Sequence, residues 1–177
     1  MDDEMLGALG ASGPLAEDAE ELMVFGQFVG AWDLEITLFD LDGNAQAQGP
    51  GEWLFGWVLE GRAVQDVLVR PPRQQRGDAE PTEFWEYGTT LRVLDPPSGT
   101  WRVTWFAAQR GGELKLVARP EEGQIVLDSV EREPFAFRWV FSDIAPDSFT
   151  WRGSGSEDDV NWLVLQEMRA QRKIAAR

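Results

Sequence analysis

The chain has no cysteine and no histidine among its 177 residues, and only one tyrosine. Without cysteine it can form no disulfide, thiolate metal site or cysteine nucleophile, and this composition suits a reducing compartment. Without histidine, the familiar pairs of a nucleophile with a base reduce to carboxylates, lysines, hydroxyl groups and Tyr87. These absences exclude thiol and imidazole chemistry and predict a cytoplasmic protein.

Basic charge is also scarce. Sixteen Lys and Arg residues stand against 31 Asp and Glu residues, so the net charge is −15, which opposes approach to nucleic-acid phosphates and anionic lipid surfaces. The segment Met1-Asp2-Asp3-Glu4 carries acid where a signal or transit peptide carries base, and no long uncharged apolar run follows it. We therefore expect neither nucleic acid nor a membrane as a partner.

Aromatic residues, glycine and proline are abundant instead. Nine Trp, ten Phe, 18 Gly and ten Pro predict short aromatic-rich strands separated by turns. Residues 1–13 show no periodicity and are expected to be disordered, and residues 173–177 are expected to form a flexible C-terminus. A helix is predicted over about residues 14–29, because Pro14 suits a first helical position and apolar residues then recur every three or four positions.

From Ala31 the hydrophobic pattern changes to a period of two, which is typical of strands. About ten strands follow, predicted near residues 31–38, 52–59, 62–69, 83–94, 101–107, 113–119, 124–130, 135–142, 148–152 and 160–169. Residues 71–81 form the longest loop between them and a candidate lid. A meander of this length must close to avoid long free edges. The predicted fold class is therefore all-β, a closed antiparallel up-and-down β-barrel of about ten strands within one domain (residues 14–172), with the short N-terminal helix covering one end.

The triplet Gly30-Ala31-Trp32 resembles the Gly-x-Trp signature at the first strand of the calycin superfamily, which includes lipocalins and fatty-acid-binding-protein-like barrels. The preceding helix, the meander and an Arg-bearing last strand extend the resemblance to about residues 25–172, and small bacterial calycin-like families without an assigned reaction are the most similar. The resemblance implies that Trp32 packs beneath the barrel against a basic residue, expected to be Arg169 or, failing that, Arg172. The chain lacks the histidine with which nitrobindin-like barrels hold haem iron, which leaves Tyr87 as a conceivable haem ligand. We predict no cofactor and no metal.

One face of the predicted strands is aromatic and is expected to point into the barrel. Two interpretations stay open for it: a filled core, or a cavity that holds a small molecule. Polar residues on the same face of the strands would then orient the ligand by hydrogen bonds. The candidate ligand-binding residues are Trp53, Trp57, Trp85, Tyr87, Thr89, Trp105, Gln109, Trp139, Trp151 and Gln166.

The opposite face carries charged residues and is expected to form a solvated exterior with cross-strand ion pairs. Its members include Asp66, Asp128 and Glu167 beside several arginines. As an alternative, bulges at Gly56 or Gly88 would turn some arginines inward to bind a carboxylate. The candidate anion contacts are Arg92, Arg119 and Arg138.

Three functions are consistent with these features. The first is a binding barrel for a small hydrophobic or amphipathic molecule, present as a monomer or homodimer. The second is a small cofactor-independent isomerase or hydrolase that uses carboxylates such as Asp66 and Glu167. The third is a homodimeric structural or interaction module, which would need an apolar patch outside the barrel.

Overall fold

A computed structural model of the protein describes residues 3–77 and 80–174. Its elements, in chain order, are α1 (Asp3–Leu9), β1 (Gly10–Ala11), a 3-10 turn (Ala16–Asp18), α2 (Ala19–Gly26), β2 (Gly30–Phe39), β3 (Ala45–Val58), β4 (Ala63–Arg70), α3 (Arg73–Arg76), β5 (Glu86–Asp95), β6 (Thr100–Ala107), β7 (Gly112–Glu121), β8 (Gln124–Ser129), β9 (Ala136–Ala145), β10 (Ser148–Ser156) and β11 (Leu163–Arg172). None of the helices within the described ranges has the length and apolar character needed to cross a membrane.

Strands β2 to β11 form a closed antiparallel barrel in which each strand pairs with the next. The barrel closes where β11 pairs with β2, from Gln166 opposite Leu38 to Arg172 opposite Trp32. Closure leaves the ten barrel strands without a free edge. The predicted all-β fold, a ten-stranded up-and-down barrel, is therefore confirmed, and β1 is an extra strand paired with the end of β3.

The predicted helix at one end of the barrel is also confirmed. The 3-10 turn and α2 together form a helical segment of 11 residues, shorter than the predicted span of residues 14–29. Its buried residues Leu22 and Phe25 face the barrel. The Phe25 ring centroid lies 5.0 Å from that of Trp101 and 5.9 Å from that of Phe141. The helix thus covers a core of aromatic side chains that fills this end.

The N-terminal segment differs from the expectation of disorder over residues 1–13. Helix α1 occupies residues 3–9, and β1 places Gly10 opposite Val58 and Ala11 opposite Trp57. Strand β1 has two residues and is too short to show the alternation from which strands are predicted. Residues 1–2, and residues 175–177 of the predicted flexible C-terminus, lie outside the described residues.

In strand β5 the inner and outer faces are the reverse of the prediction. Tyr87 and Val93, on the face predicted to point inward, are 40% and 38% exposed, whereas Arg92, on the other face, is fully buried. The reason lies in Gly88, which faces inward and makes room for an indole. A Cβ atom on Gly88 would lie 2.2 Å from the Trp105 ring. The more apolar face of this strand therefore points outward.

The signature residue Trp32 lies in the closed end of the barrel, next to the β2–β11 pairing. Its indole Nε1 donates a hydrogen bond to the Phe28 carbonyl oxygen at 2.7 Å. The Arg172 guanidinium lies over the indole, 4.1 Å from the ring centroid, in a cation–π contact. The second of the two expected partners, Arg172, is thus the one that meets Trp32. Arg169 is exposed and binds Glu167 at 3.2 Å.

Arg172 also connects the segment before β2 with the turn after β9. Its guanidinium donates hydrogen bonds to the carbonyl oxygens of Gln27, Val29 and Pro146 at 2.8, 2.9 and 2.9 Å. Gly30 makes room for this side chain, because a Cβ atom there would lie 2.8 Å from Arg172 Nη1. Gly30 also has a φ of +131°, which residues with a side chain rarely adopt. Both constraints explain why glycine occupies this position.

The segment after β4, predicted as a long exposed loop, contains α3 and is attached to the barrel. The Glu52 side chain, 6% exposed, accepts hydrogen bonds from the Arg73 backbone N and Nε at 2.8 and 2.7 Å. Lys173 Nζ lies 3.6 Å from its other oxygen. The hydrogen bonds from Arg73 outweigh the effect of burial and lower the pKa of Glu52 to about 2.

Replacing Arg172 by alanine should lower the free energy of unfolding by about 2–4 kcal/mol, because three charge-assisted hydrogen bonds and a cation–π contact are lost. Arg169→Ala is the matched control on the same strand and should change it by no more than about 0.5 kcal/mol. Urea denaturation of both variants measures the difference. Equal losses would show that Arg172 does not clamp the barrel end.

Stability should fall in acid as Glu52 becomes protonated. Its pKa is lower in the folded protein than its ordinary value of 4.5, so its contribution is complete above pH 4.5 and is lost as the pH falls towards about 2. One pKa unit corresponds to about 1.36 kcal/mol, which limits this contribution to about 3 kcal/mol. Denaturation between pH 2 and 6 should therefore show a shallower pH dependence for Glu52→Gln than for the wild type. The exposed control Glu20→Gln should leave the wild-type slope unchanged.

Candidate functional site

A cavity of about 230 Å³, partly open to solvent, lies in the barrel beyond the aromatic core that packs under α2. Residues of eight strands, β3 to β7 and β9 to β11, form its wall. The lining residues are Trp53, Leu68, Arg70, Glu86, Thr90, Trp105, Leu114, Phe137, Trp139, Trp151, Gly153, Ser154, Leu165, Gln166 and Met168. The wall is therefore mainly aromatic and aliphatic, with a few polar groups.

Small residues in the wall give the large indoles their positions. A Cβ atom on Gly153 would lie 2.6 Å from the Trp151 ring, as one on Gly88 would meet Trp105. Each indole therefore packs directly against the backbone of a glycine, where a side chain would collide with it.

Five of the ten candidate ligand-binding residues line this cavity, namely Trp53, Trp105, Trp139, Trp151 and Gln166. Trp57 packs against α2 instead, since a Cβ atom on Gly26 would lie 2.3 Å from its ring. The remaining four candidates lie on the outside of the barrel wall or in a turn.

These four have other contacts. The rings of Trp85 and Tyr87 lie 4.8 and 5.0 Å from the Arg76 guanidinium. Thr89 Oγ1 donates a hydrogen bond to the Asp66 carbonyl oxygen at 2.5 Å and accepts one from Gln65 at 3.0 Å. Gln109 is exposed in the turn between β6 and β7. The inverted orientation of β5 accounts for Tyr87 and Thr89.

The polar side of the cavity is formed by Arg70, Glu86 and Gln166. Arg70 is opposite Glu86 in the β4–β5 pairing, and its Nη2 lies 3.9 Å from Glu86 Oε2. Its Nη1 donates a hydrogen bond to Gln166 Oε1 at 3.1 Å. Glu86 Oε2 also lies 3.5 Å from Arg110 Nε. Burial lowers the pKa of Arg70 to about 10, so the guanidinium stays charged near neutral pH.

Three nitrogen atoms of the cavity wall are buried without a hydrogen-bond partner in the described part of the chain. They are Trp53 Nε1, Trp151 Nε1 and Arg70 Nε.

Sequence reasoning identified both tryptophans but missed Arg70 and Glu86. Arg70 and Glu86 each lie at one end of a strand, on its inward face, and they are opposite one another in the β4–β5 register. This opposite pairing of an arginine with a glutamate is the feature that could have identified them. That register was not visible in either strand alone.

Arg92 and Asp66 form an ion pair inside the barrel, with both side chains fully buried and Nη1 2.5 Å from Oδ2. The Arg92 guanidinium lies 5.0 Å from the Phe25 ring centroid and 5.3 Å from that of Phe55. Asp66 Oδ1 accepts a hydrogen bond from the Thr90 backbone N at 3.2 Å. The expectation that both residues lie on the solvated exterior is therefore wrong, and Arg92 reaches the interior without a bulge.

The other two candidate anion contacts lie outside the barrel. Arg119 Nη1 and Arg138 Nε bind the two oxygens of Asp128 at 2.9 and 2.6 Å. Glu167 also faces outward and accepts a hydrogen bond from Arg152 Nε at 2.8 Å. The barrel wall thus separates Glu167 from Asp66, and the structure does not bring this pair of carboxylates together.

Comparison with known proteins shows the fold. No protein-family model matches the sequence, and no curated protein matches it. Solved structures do: the S-type phycobiliprotein lyase CPES from Guillardia theta has a TM-score of 0.59 at 11% identity, over 92% of this chain and 100% of that one. Rv2717c from M. tuberculosis has a TM-score of 0.56 at 11% identity, over 88% of this chain and 99% of that one. This chain therefore shares its overall fold with both.

Removing one partner of the buried ion pair should be more damaging than removing both. Arg92→Met leaves the Asp66 carboxylate uncompensated and should cost about 3–5 kcal/mol of unfolding free energy. The double variant Asp66→Leu with Arg92→Met should recover most of that loss, because it leaves no buried charge. Guanidinium denaturation provides the comparison. A double variant as unstable as the single one would contradict this account.

Proposed function

We propose that the protein binds a small hydrophobic or amphipathic molecule inside its barrel. The observation that carries this proposal is the aromatic-lined cavity of about 230 Å³. An apolar cavity of about 150 Å³ is enough to bind benzene. The space therefore suits a one-ring aromatic molecule or a short hydrocarbon chain with a polar group.

The distribution of side chains supports the same function. Ligand sites are usually lined by apolar and aromatic groups with a few polar groups that orient the ligand. Here Leu68, Leu114 and Met168 stand with the indoles, while Arg70 and Gln166 provide polar contacts on one side. A ligand would thus have an apolar environment and one defined polar end.

The two alternatives from the sequence receive less support. An enzyme using paired carboxylates needs both in one space, and Glu86 is the one carboxylate among the described residues that line the cavity. A homodimeric module makes no use of the cavity, and a dimer mass in light scattering would favour it. The likeness to the phycobiliprotein lyase extends to the fold, and we propose no lyase reaction from it.

Binding should depend on free space in the cavity. Leu165→Trp adds volume to the cavity wall and should weaken the binding of benzoate and ethylbenzene by about tenfold or more, as expected when an aromatic ring is displaced. Val117→Trp makes a similar change on the outer face and should bind both probes like the wild type. Isothermal titration calorimetry measures the affinities.

Thermal unfolding of both variants ensures that the comparison is made between folded proteins, and Ser154→Phe is a second cavity-filling variant if Leu165→Trp does not fold. Wild-type affinity in a folded cavity-filling variant would place the binding site elsewhere. Binding of neither probe to the wild type would overturn the proposed function.

A further inference from the structure

The outer wall of the barrel has two unlike halves. On β7 to β11, cross-strand ion pairs such as the one between Arg152 and Glu167 lie on the surface. On β3 to β6, two rows of uncharged side chains cross all four strands. The first row is Leu54, Val67, Thr89 and Phe106. The second row is Gly56, Gln65, Leu91 and Thr104. We call these two rows, together with Tyr87 and Val93 on β5, the neutral face.

The neutral face exposes large apolar groups. Phe106, Tyr87 and Val93 are 43%, 40% and 38% exposed, and its other members are half-buried. Strand β5 thus presents apolar residues to the outside, while Glu86 and Arg92 point inward. A sheet that is covered on both sides carries apolar residues on both faces. The reversed faces of β5 therefore indicate a surface that another molecule covers.

The neutral face is large enough to form the centre of a protein interface. Strands lie about 4.8 Å apart and rise about 3.4 Å per residue, so four strands between the levels of Tyr87 and Val93 cover roughly 400 Å². An exposed patch of roughly this size is often functional. The next ring of side chains around it raises the footprint to about 800 Å², which is the area that each partner buries in a standard interface.

Three ion pairs border the neutral face. They are Arg62 with Glu60, Arg102 with Asp95 and Lys115 with Glu113, at 3.5, 3.2 and 3.0 Å. The cationic side chain of each pair is more than half exposed. Because each cation has its own carboxylate, these pairs add no net charge to the uncharged rows that they surround.

The charge of the rest of the chain favours a second copy as the occupant. Residues 1–61 contain no Lys or Arg, so they carry most of the net charge of −15. Their carboxylates include Glu20 and Glu21 on α2 and Glu35 on β2, outside the neutral face. Molecules of like charge repel, and this repulsion is weakest where both present a surface without net charge. A basic partner would instead gain most from the acidic surface.

We propose that the protein forms a two-fold symmetric homodimer in which the neutral face of one copy packs against the neutral face of the other. Such a contact is isologous, so the assembly closes at two subunits. Val67, Leu91 and Phe106 provide its apolar contacts, and the bordering ion pairs meet those of the second copy. The cavity-lining residues Leu68 and Thr90 lie on the inner side of the same strands, so this inference goes beyond the proposed function and does not depend on it.

Light scattering after gel filtration tests the dimer. Between about 1 μM and about 1 mM, a range that includes weak as well as stable dimers, the mass of the wild type should approach twice that of one chain. Phe106→Glu should raise the dissociation constant about thirtyfold or more, the effect of losing an important apolar contact. Phe106→Arg should do the same although it reduces the net charge. Leu41→Glu is the matched control, because Leu41 is 76% exposed in the turn between β2 and β3, and it should leave the dissociation constant unchanged.

A second variant guards against misfolding, which circular dichroism detects. Thr104→Glu places a carboxylate in the second row, where Lys115 is opposite it on β7 and compensates the new charge within the sheet. This variant should also dissociate the dimer. A wild type that is monomeric at every concentration would overturn the proposal. A dimer that persists in both Phe106→Glu and Thr104→Glu would overturn the assignment to the neutral face.

The remaining outcomes separate this inference from nonspecific repulsion and from the proposed function. Equal dissociation of Leu41→Glu and Phe106→Glu would show that added negative charge alone separates the copies, and would overturn the role of the neutral face. Titration of the same wild-type samples with benzoate and ethylbenzene tests the cavity independently. A dimer that binds neither probe would support the homodimeric interface alone, whereas a monomer that binds them would support the proposed function alone.

Discussion

The pairing of β2 with β11 is the constraint on which the rest of the barrel depends. It joins the first and last barrel strands, and its register determines which side chains meet at the closed end. Arg172, opposite Trp32 in this register, lies over the indole and binds carbonyl oxygens both before β2 and after β9. One side chain thus ties the closure of the sheet to the helix that covers it, and the cavity lies within the wall that this closure defines.

The interior is organised as two zones along the barrel. Near α2 the rings of Phe25, Phe28 and Phe141 fill the available space, and the Asp66–Arg92 pair is buried among them. Beyond this pair lies the cavity, and two of its indoles, Trp105 and Trp151, pack against the glycines Gly88 and Gly153. The filled zone and the cavity are therefore different parts of one continuous core.

The sequence predicted the barrel because period-two alternation and turn residues are local properties. The inner face of β5 was predicted wrongly, because Tyr87 and Val93 on its outer face are more apolar than Glu86 and Arg92 on its inner face. Buried charges are acceptable here only because partners on β4 compensate them, and pairing between strands is not a local property. The choice between Arg169 and Arg172 likewise depended on register, since Arg169 is opposite Glu35.

The tryptophans of the cavity wall have an optical consequence. Trp53, Trp105, Trp139 and Trp151 line the space, whereas Trp32 and Trp101 lie in the closed core, each only 1% exposed. A molecule in the cavity would touch four of the nine indole fluorophores of the chain at once, while the emission of the core indoles would stay constant. The protein thus carries its own reporter of occupancy, with an internal reference, and needs no attached dye.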